Sequence, residues 1–139
     1  MAGISFNDYF VKELSYKRNE NFDPKNGKLV APLDADFGYN INEGKAYVDF
    51  KLTLGNLTDL RSGFEVKVNV VGEFSYNEEE SDGISFDDFI KENAIAMLYS
   101  YVRPMVSDII TRSNEFPNYI LPVINVRRLI ENHRKNKND

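Results

Sequence analysis

The sequence predicts an α+β domain: a four-stranded antiparallel sheet packed against a long C-terminal helix, with a shorter helix after it. Three observations carry this. The first half of the 139 residues alternates apolar and polar side chains, the period of a half-buried strand. From Phe86 onward the apolar spacing changes to three and four residues, the period of an amphipathic helix. A proline-containing apolar stretch then separates that helix from a shorter periodic segment.

The first strand, near Ser5 to Tyr16, is the least regular. Phe6, Phe10, Leu14 and Tyr16 share one parity while Tyr9 and Val11 take the other, so a bulge or cover on both faces is expected. "PLDADFGYNI" alternates Leu33, Ala35, Phe37, Tyr39 and Ile41 with polar neighbours, and "NEGK" at 42 to 45 supplies the turn of a hairpin. "VDFKLTL" puts Val48, Phe50, Leu52 and Leu54 on one face, and "GFEVKVNVVGEF" does the same with Phe64, Val66, Val68 and Val70. One wet face and one apolar face follow.

The long helix begins at Ser85, whose spacing to Asp88 resembles a capping box, and Asp87 and Asp88 suit the positive end of its dipole. It should run to about Ser113, roughly 40 Å at 1.5 Å per residue. Pro104 lacks the amide that would bond to the Ser100 carbonyl, so a kink or local break is expected there. After the crossover, "VRRLIENHRKNKND" allows a shorter helix with Val126, Leu129 and Ile130 inward and a basic end.

Composition narrows function. A hydrophobic share of 42% with 28% charged residues fits one globular domain covering residues 1–139. The net charge of −5 argues against nucleic acid as principal partner. With no cysteine, disulfides, thiol catalysis and cysteine-ligated zinc are excluded. No apolar run approaches the roughly 20 residues of a membrane span, and the N-terminus lacks a basic region followed by an apolar core, so a cytoplasmic protein without membrane insertion is expected. The eight scattered glycines form no phosphate-binding loop. The single histidine, His133, reads as a solvated surface residue without a nucleophile motif, and "EEESDGISFDD" lacks calcium-loop spacing and reads as an acidic turn. No cofactor, metal or enzymatic activity is expected.

The crossover poses the functional question. In "NEFPNYILPVINVRRL", Phe116, Tyr119, Ile120, Leu121, Val123 and Ile124 crowd around two prolines. A surface loop this apolar either packs on its own core or is kept available to a partner. Pro117 and Pro122 restrict backbone angles and favour an extended chain, which presents side chains instead of collapsing them. Phe116, Tyr119, Ile120, Leu121 and Val123 are therefore candidate binding residues, with Leu33, Phe37 and Tyr39 as an extension from the sheet.

Four segments, in order, resemble the SecB family of export chaperones: "FVKELSYK" at Phe10 to Lys17, "VVGEF" at Val70 to Phe74, "LYSYVRPMVSDIITR" in the long helix, and "FPNYILPVIN" in the crossover. The resemblance implies a homotetramer built as a dimer of dimers, and an ATP-independent holdase that binds unfolded polypeptide clients, preproteins for Sec-dependent export being the first reading. Handover in that family goes to the export motor SecA, through acids on the exposed sheet and a zinc-binding tail. Here the first-strand acid corresponds to Glu13, but Lys17 and Lys67 stand at two other acidic positions and the tail has no cysteine. An ammonium in place of a carboxylate repels a basic partner. Glu13 and Glu65 remain the candidate contacts for a motor or other partner. A chaperone dedicated to an antitoxin is the alternative within the class; a non-catalytic oligomeric interaction module is the alternative outside it.

Overall fold

The computed structural model describes residues 4–26, 31–77, 83, 85–116, 121, 128, 130 and 131. Four strands, β1 (Ile4–Arg18), β2 (Leu33–Asn42), β3 (Lys45–Gly55) and β4 (Phe64–Tyr76), form one antiparallel sheet in the order β1-β4-β3-β2. β2 and β3 are joined by the predicted two-residue turn, where Glu43 and Gly44 both take positive φ (51° and 75°). That conformation matches the twist of a tight hairpin and is easily adopted only by glycine.

β1 resolves the parity conflict in its sequence with two register shifts, one between Phe6 and Asp8 and one between Val11 and Glu13. Each shift moves the following residues to the opposite face. Phe6, Tyr9, Val11, Leu14 and Tyr16 consequently pair with Phe74, Gly72, Val70, Val68 and Val66 along one apolar face. Phe10 faces the other way, across from Val71.

Above that face lies a long helical segment. Ser85 caps it, its side chain accepting a hydrogen bond from the Asp88 N–H at 3.1 Å. α1 (Phe86–Phe89) leads through a π-helical turn (Ile90–Ala94) into α2 (Ile95–Arg112). The local break expected at Pro104 is absent, for α2 stays α-helical across it. Pro104 and Ser100 are both exposed residues of the helix, a setting in which water can satisfy a carbonyl left without its amide partner. The irregularity falls instead at the π-helical turn, which the apolar spacing did not signal. Arg128, Ile130 and Glu131 are helical and Ile130 is buried, in keeping with a short second helix; Val126, Leu129 and His133 lie outside the described residues, as does the acidic stretch 78–82.

The core forms where Leu98, Val102, Val106 and Ile110 of α2 meet the central strands. Close approach depends on Gly72, since a Cβ there would come within 2.7 Å of a Leu98 methyl. A polar pin holds the loop between β3 and β4. Buried Asn19 shares its amide protons among the carbonyls of Asn56, Asp59 and Ser62 at 3.4, 2.9 and 2.7 Å. The Asn56 and Asp59 carbonyls also accept backbone N–H bonds, from Asp59 and Ser62 at 3.4 and 3.0 Å, so removing that donor chiefly deprives the buried Ser62 carbonyl of its partner. Asn19→Ala should lower stability by about 3 kcal/mol in chemical denaturation, whereas a loss under about 0.5 kcal/mol would mean that water replaces the side chain.

Candidate client-binding surface

Sheet and helix differ in width. Four strands about 4.8 Å apart span roughly 15–20 Å, while a helix with its side chains is about 10–12 Å across. One helix can seal only the middle. The inner-face residues of β3 and β4, Ala46, Val48, Phe50, Leu52, Leu54, Phe64, Val66, Val68, Val70 and Phe74, are all buried. On the edge strands the same face stays open, with Val11 44% and Leu14 42% exposed on β1, and Tyr39 36% and Ile41 39% on β2.

The β2 strip is aromatic. Phe37 and Tyr39 stack with ring centroids 6.1 Å apart and planes within 8°, side by side at every second residue of an edge strand. The Tyr39 hydroxyl donates to the Asp87 carboxylate at 2.6 Å, which ties the strip to the start of α1. That bond, and to a smaller degree burial and the nearby negative charge, raises the Tyr39 pKa, because each disfavours the phenolate. Leu33 and Phe37 are half-buried against the core. Ile41 completes the row. It shares the alternation of Leu33, Phe37 and Tyr39, and that parity was the signal that could have placed it among the candidates.

Crossover residues divide between two environments. Phe116 is half-buried, its ring edge-on to Phe64 (5.3 Å) and to Phe22 (5.8 Å). Leu121 is fully buried in the core cluster, and its main-chain oxygen accepts a hydrogen bond from Arg103 Nε at 3.0 Å. In this subunit Leu121 thus serves the core, one of the two roles the sequence allows for the loop. Tyr119, Ile120 and Val123, with Pro117 and Pro122, lie outside the described residues.

The outer face is mostly polar, with Phe10 and Tyr47 as its exposed large apolar residues. Glu13 is exposed there opposite Asn69. Glu65 sits opposite Lys17 and 3.6 Å from Lys67, its side chain largely covered. Lys67 thus pairs with the acid, and Lys17 adds a second positive charge across the strand from it. The sequence reading did not single out the exposed β1 strip, Val11 and Leu14, because the two bulges that bring them together leave no uniform alternation.

This arrangement, a mixed-charge outer face and an α-helix over an apolar inner face with open edges, is an α+β architecture of the SecB-like type. The Mycobacterium tuberculosis Rv1957 SecB-like chaperone, solved in complex with a ChAD peptide from the Rv1956 HigA1 antitoxin, matches with a TM-score of 0.69 over 88% of this chain and 91% of that one, at 15% identity. A protein of unknown function from Streptococcus agalactiae matches with a TM-score of 0.51 over 86% of this chain and 96% of that one, at 16% identity. Both likenesses are of fold. No family model matches the sequence. The uncharacterized protein MJ0357 of Methanocaldococcus jannaschii is 33% identical over 135 residues, which span 94% of this chain and 84% of that protein. The chain belongs to the family of that archaeal protein.

Because the raised Tyr39 pKa favours the neutral phenol in the folded state, the bond to Asp87 contributes fully below the ordinary tyrosine pKa and is lost as pH rises through the folded value. NMR titration of ring-labelled tyrosines should find Tyr39 deprotonating above an ordinary tyrosine, and Asp87→Asn should bring it down. An unshifted Tyr39 in the parent protein would show that the bond does not hold in solution.

Proposed function

We propose that this chain is an ATP-independent holdase that keeps unfolded polypeptides from folding or aggregating. The observation that carries the reading is the apolar row of β2, half-buried Phe37 followed by exposed Tyr39 and Ile41, at the margin of the helix-covered face. An unfolded client exposes apolar side chains at irregular spacing, so its binder needs a long tolerant surface more than one deep pocket. Each large side chain buried against a client contributes about 1.5–3 kcal/mol before ordering costs are subtracted. Several modest contacts add up to tight, reversible binding. The described part of the crossover starts at Phe116 and returns to the core at Leu121, so Tyr119 and Ile120 are the loop residues assigned to clients, with Val123 beyond.

Further support comes from the fold neighbour solved with an antitoxin peptide, which makes a polypeptide occupant compatible with this architecture. It also favours the second reading, a chaperone dedicated to one antitoxin, over general preprotein export. Handover to SecA is disfavoured by Lys17 and Lys67 beside Glu65, and Glu13 is the exposed candidate contact on that face. The β1 strip of Val11 and Leu14, with Tyr101 of α2 beside it, is assigned to contacts between subunits of a homotetramer, and the protein to the cytoplasm.

Light scattering from a chemically unfolded, aggregation-prone client tests the proposal. The parent protein should suppress aggregation without ATP, and a variant combining Phe37→Ser, Tyr119→Ser and Ile120→Ser should need roughly tenfold more protein for the same effect, at unchanged oligomeric mass. Full suppression by the variant would move the client site elsewhere. Dissociation of the variant into monomers would make the strip a subunit interface and favour a non-catalytic interaction module. Pull-down from the native cell separates a single antitoxin client from a mixture of preproteins.

A further inference from the structure

β2 is an edge strand, and only half of its free edge is closed. The Pro32 main-chain oxygen accepts from the Gly55 N–H at 2.8 Å, and in an antiparallel ladder bonded positions recur at every second residue. Asp34, Asp36, Gly38, Asn40 and Asn42, opposite Thr53, Lys51, Asp49, Tyr47 and Lys45, therefore turn their N–H and C=O groups toward β3. Leu33, Ala35, Phe37, Tyr39 and Ile41 turn theirs to the open side. These five also carry the side chains of the inner face.

The first half of this edge caps itself. The Asp34 carboxylate accepts from the Ala35 N–H at 3.0 Å, and the Asp36 carboxylate from the Phe37 N–H at 2.8 Å. Each aspartate reaches round from the outer face to hold the donor of the next residue, so a strand arriving there has to displace a charge-assisted bond. Gly38 has no side chain with which to repeat the pattern. Among the described residues nothing bonds to the main-chain groups of Tyr39 and Ile41.

Main-chain donors and acceptors repeating at every second residue match one partner chemistry, another extended main chain. We propose that an unfolded client adds an extended segment as a further strand along residues 38–42, and that Asp34 and Asp36 limit how far that pairing runs. The client's main chain bonds to Tyr39 and Ile41 while its alternate side chains lie on the inner margin beside theirs. This rests on the holdase reading and deepens it, for main-chain bonds are indifferent to client sequence. A second copy of this chain fits the edge less well. Antiparallel pairing of Tyr39 with Tyr39 of another copy brings Glu43 opposite Ala35, between Asp34 and Asp36, where like charges repel.

Fluorescence anisotropy with a labelled synthetic peptide alternating leucine and serine tests this on the parent protein. Alternate amides of a strand point to opposite edges, so N-methylation of one alternate set should weaken binding about tenfold, while N-methylation of the other set leaves it unchanged. Asp36→Ala, which removes the cap from the Phe37 N–H, should tighten binding about fivefold. Asp36→Asn keeps an oxygen to accept that bond and should bind as the parent does. Equal loss from both methylated sets, no loss from either, or no binding of the unmethylated peptide would overturn strand addition. So would Asp36→Ala gaining oligomeric mass in place of peptide affinity, which would make the edge a contact between copies. The holdase reading falls separately, if the parent fails to keep an unfolded client from aggregating.

Discussion

The long helical segment packs over the middle of a four-stranded sheet and leaves parts of its edge strands exposed, the constraint beneath both the core and the candidate surface. The apolar faces of β3 and β4 are sealed by Leu98, Val102, Val106 and Ile110, and that contact supplies the core. Beyond the helix's reach, the inner faces of β1 and β2 keep their side chains partly in water. Those margins are lined with aromatic and branched side chains, Phe37, Tyr39 and Ile41 on one side and Val11 and Leu14 on the other.

The two faces of the sheet answer different demands. Outside, lysines and carboxylates alternate, with Lys12 bonded to Asp49 at 3.2 Å and Lys67 beside Glu65; such exposed pairs add little stability but keep the surface soluble. Both edges could template unwanted strand pairing, and β1, with the longer edge, carries two bulges and Lys12 in the second of them, features that discourage edge-to-edge association. On the proposed reading, client binding is a matter of side-chain burial on the inner margin, with self-association held off by charge and twist.

Much of this was legible in the residues. The strands β2, β3 and β4, their turn and the capped helix are written in period and capping signals that depend only on near neighbours. β1 was legible as a strand but not in its register, because a bulge moves a side chain across the sheet without leaving a mark in composition. Of the kink or break expected at Pro104, the break does not occur, since α2 continues through it. In the candidate site, parity placed Phe37 and Tyr39 correctly on one face. No pattern could have told that Leu121 belongs to the core, or that Arg103 would reach its carbonyl from 18 residues away in the chain.

The central claim is that the inner margin of β2 is where an unfolded chain is held. Site-specific photocrosslinking tests it most directly, with a benzophenone side chain introduced in turn at Ile41 on the inner margin and at Lys67 on the outer face, each variant mixed with an unfolded client. Adducts with the client from position 41 and none from position 67 are the predicted result. Client adducts from position 67 alone, or adducts from position 41 only to other copies of this chain, would contradict it.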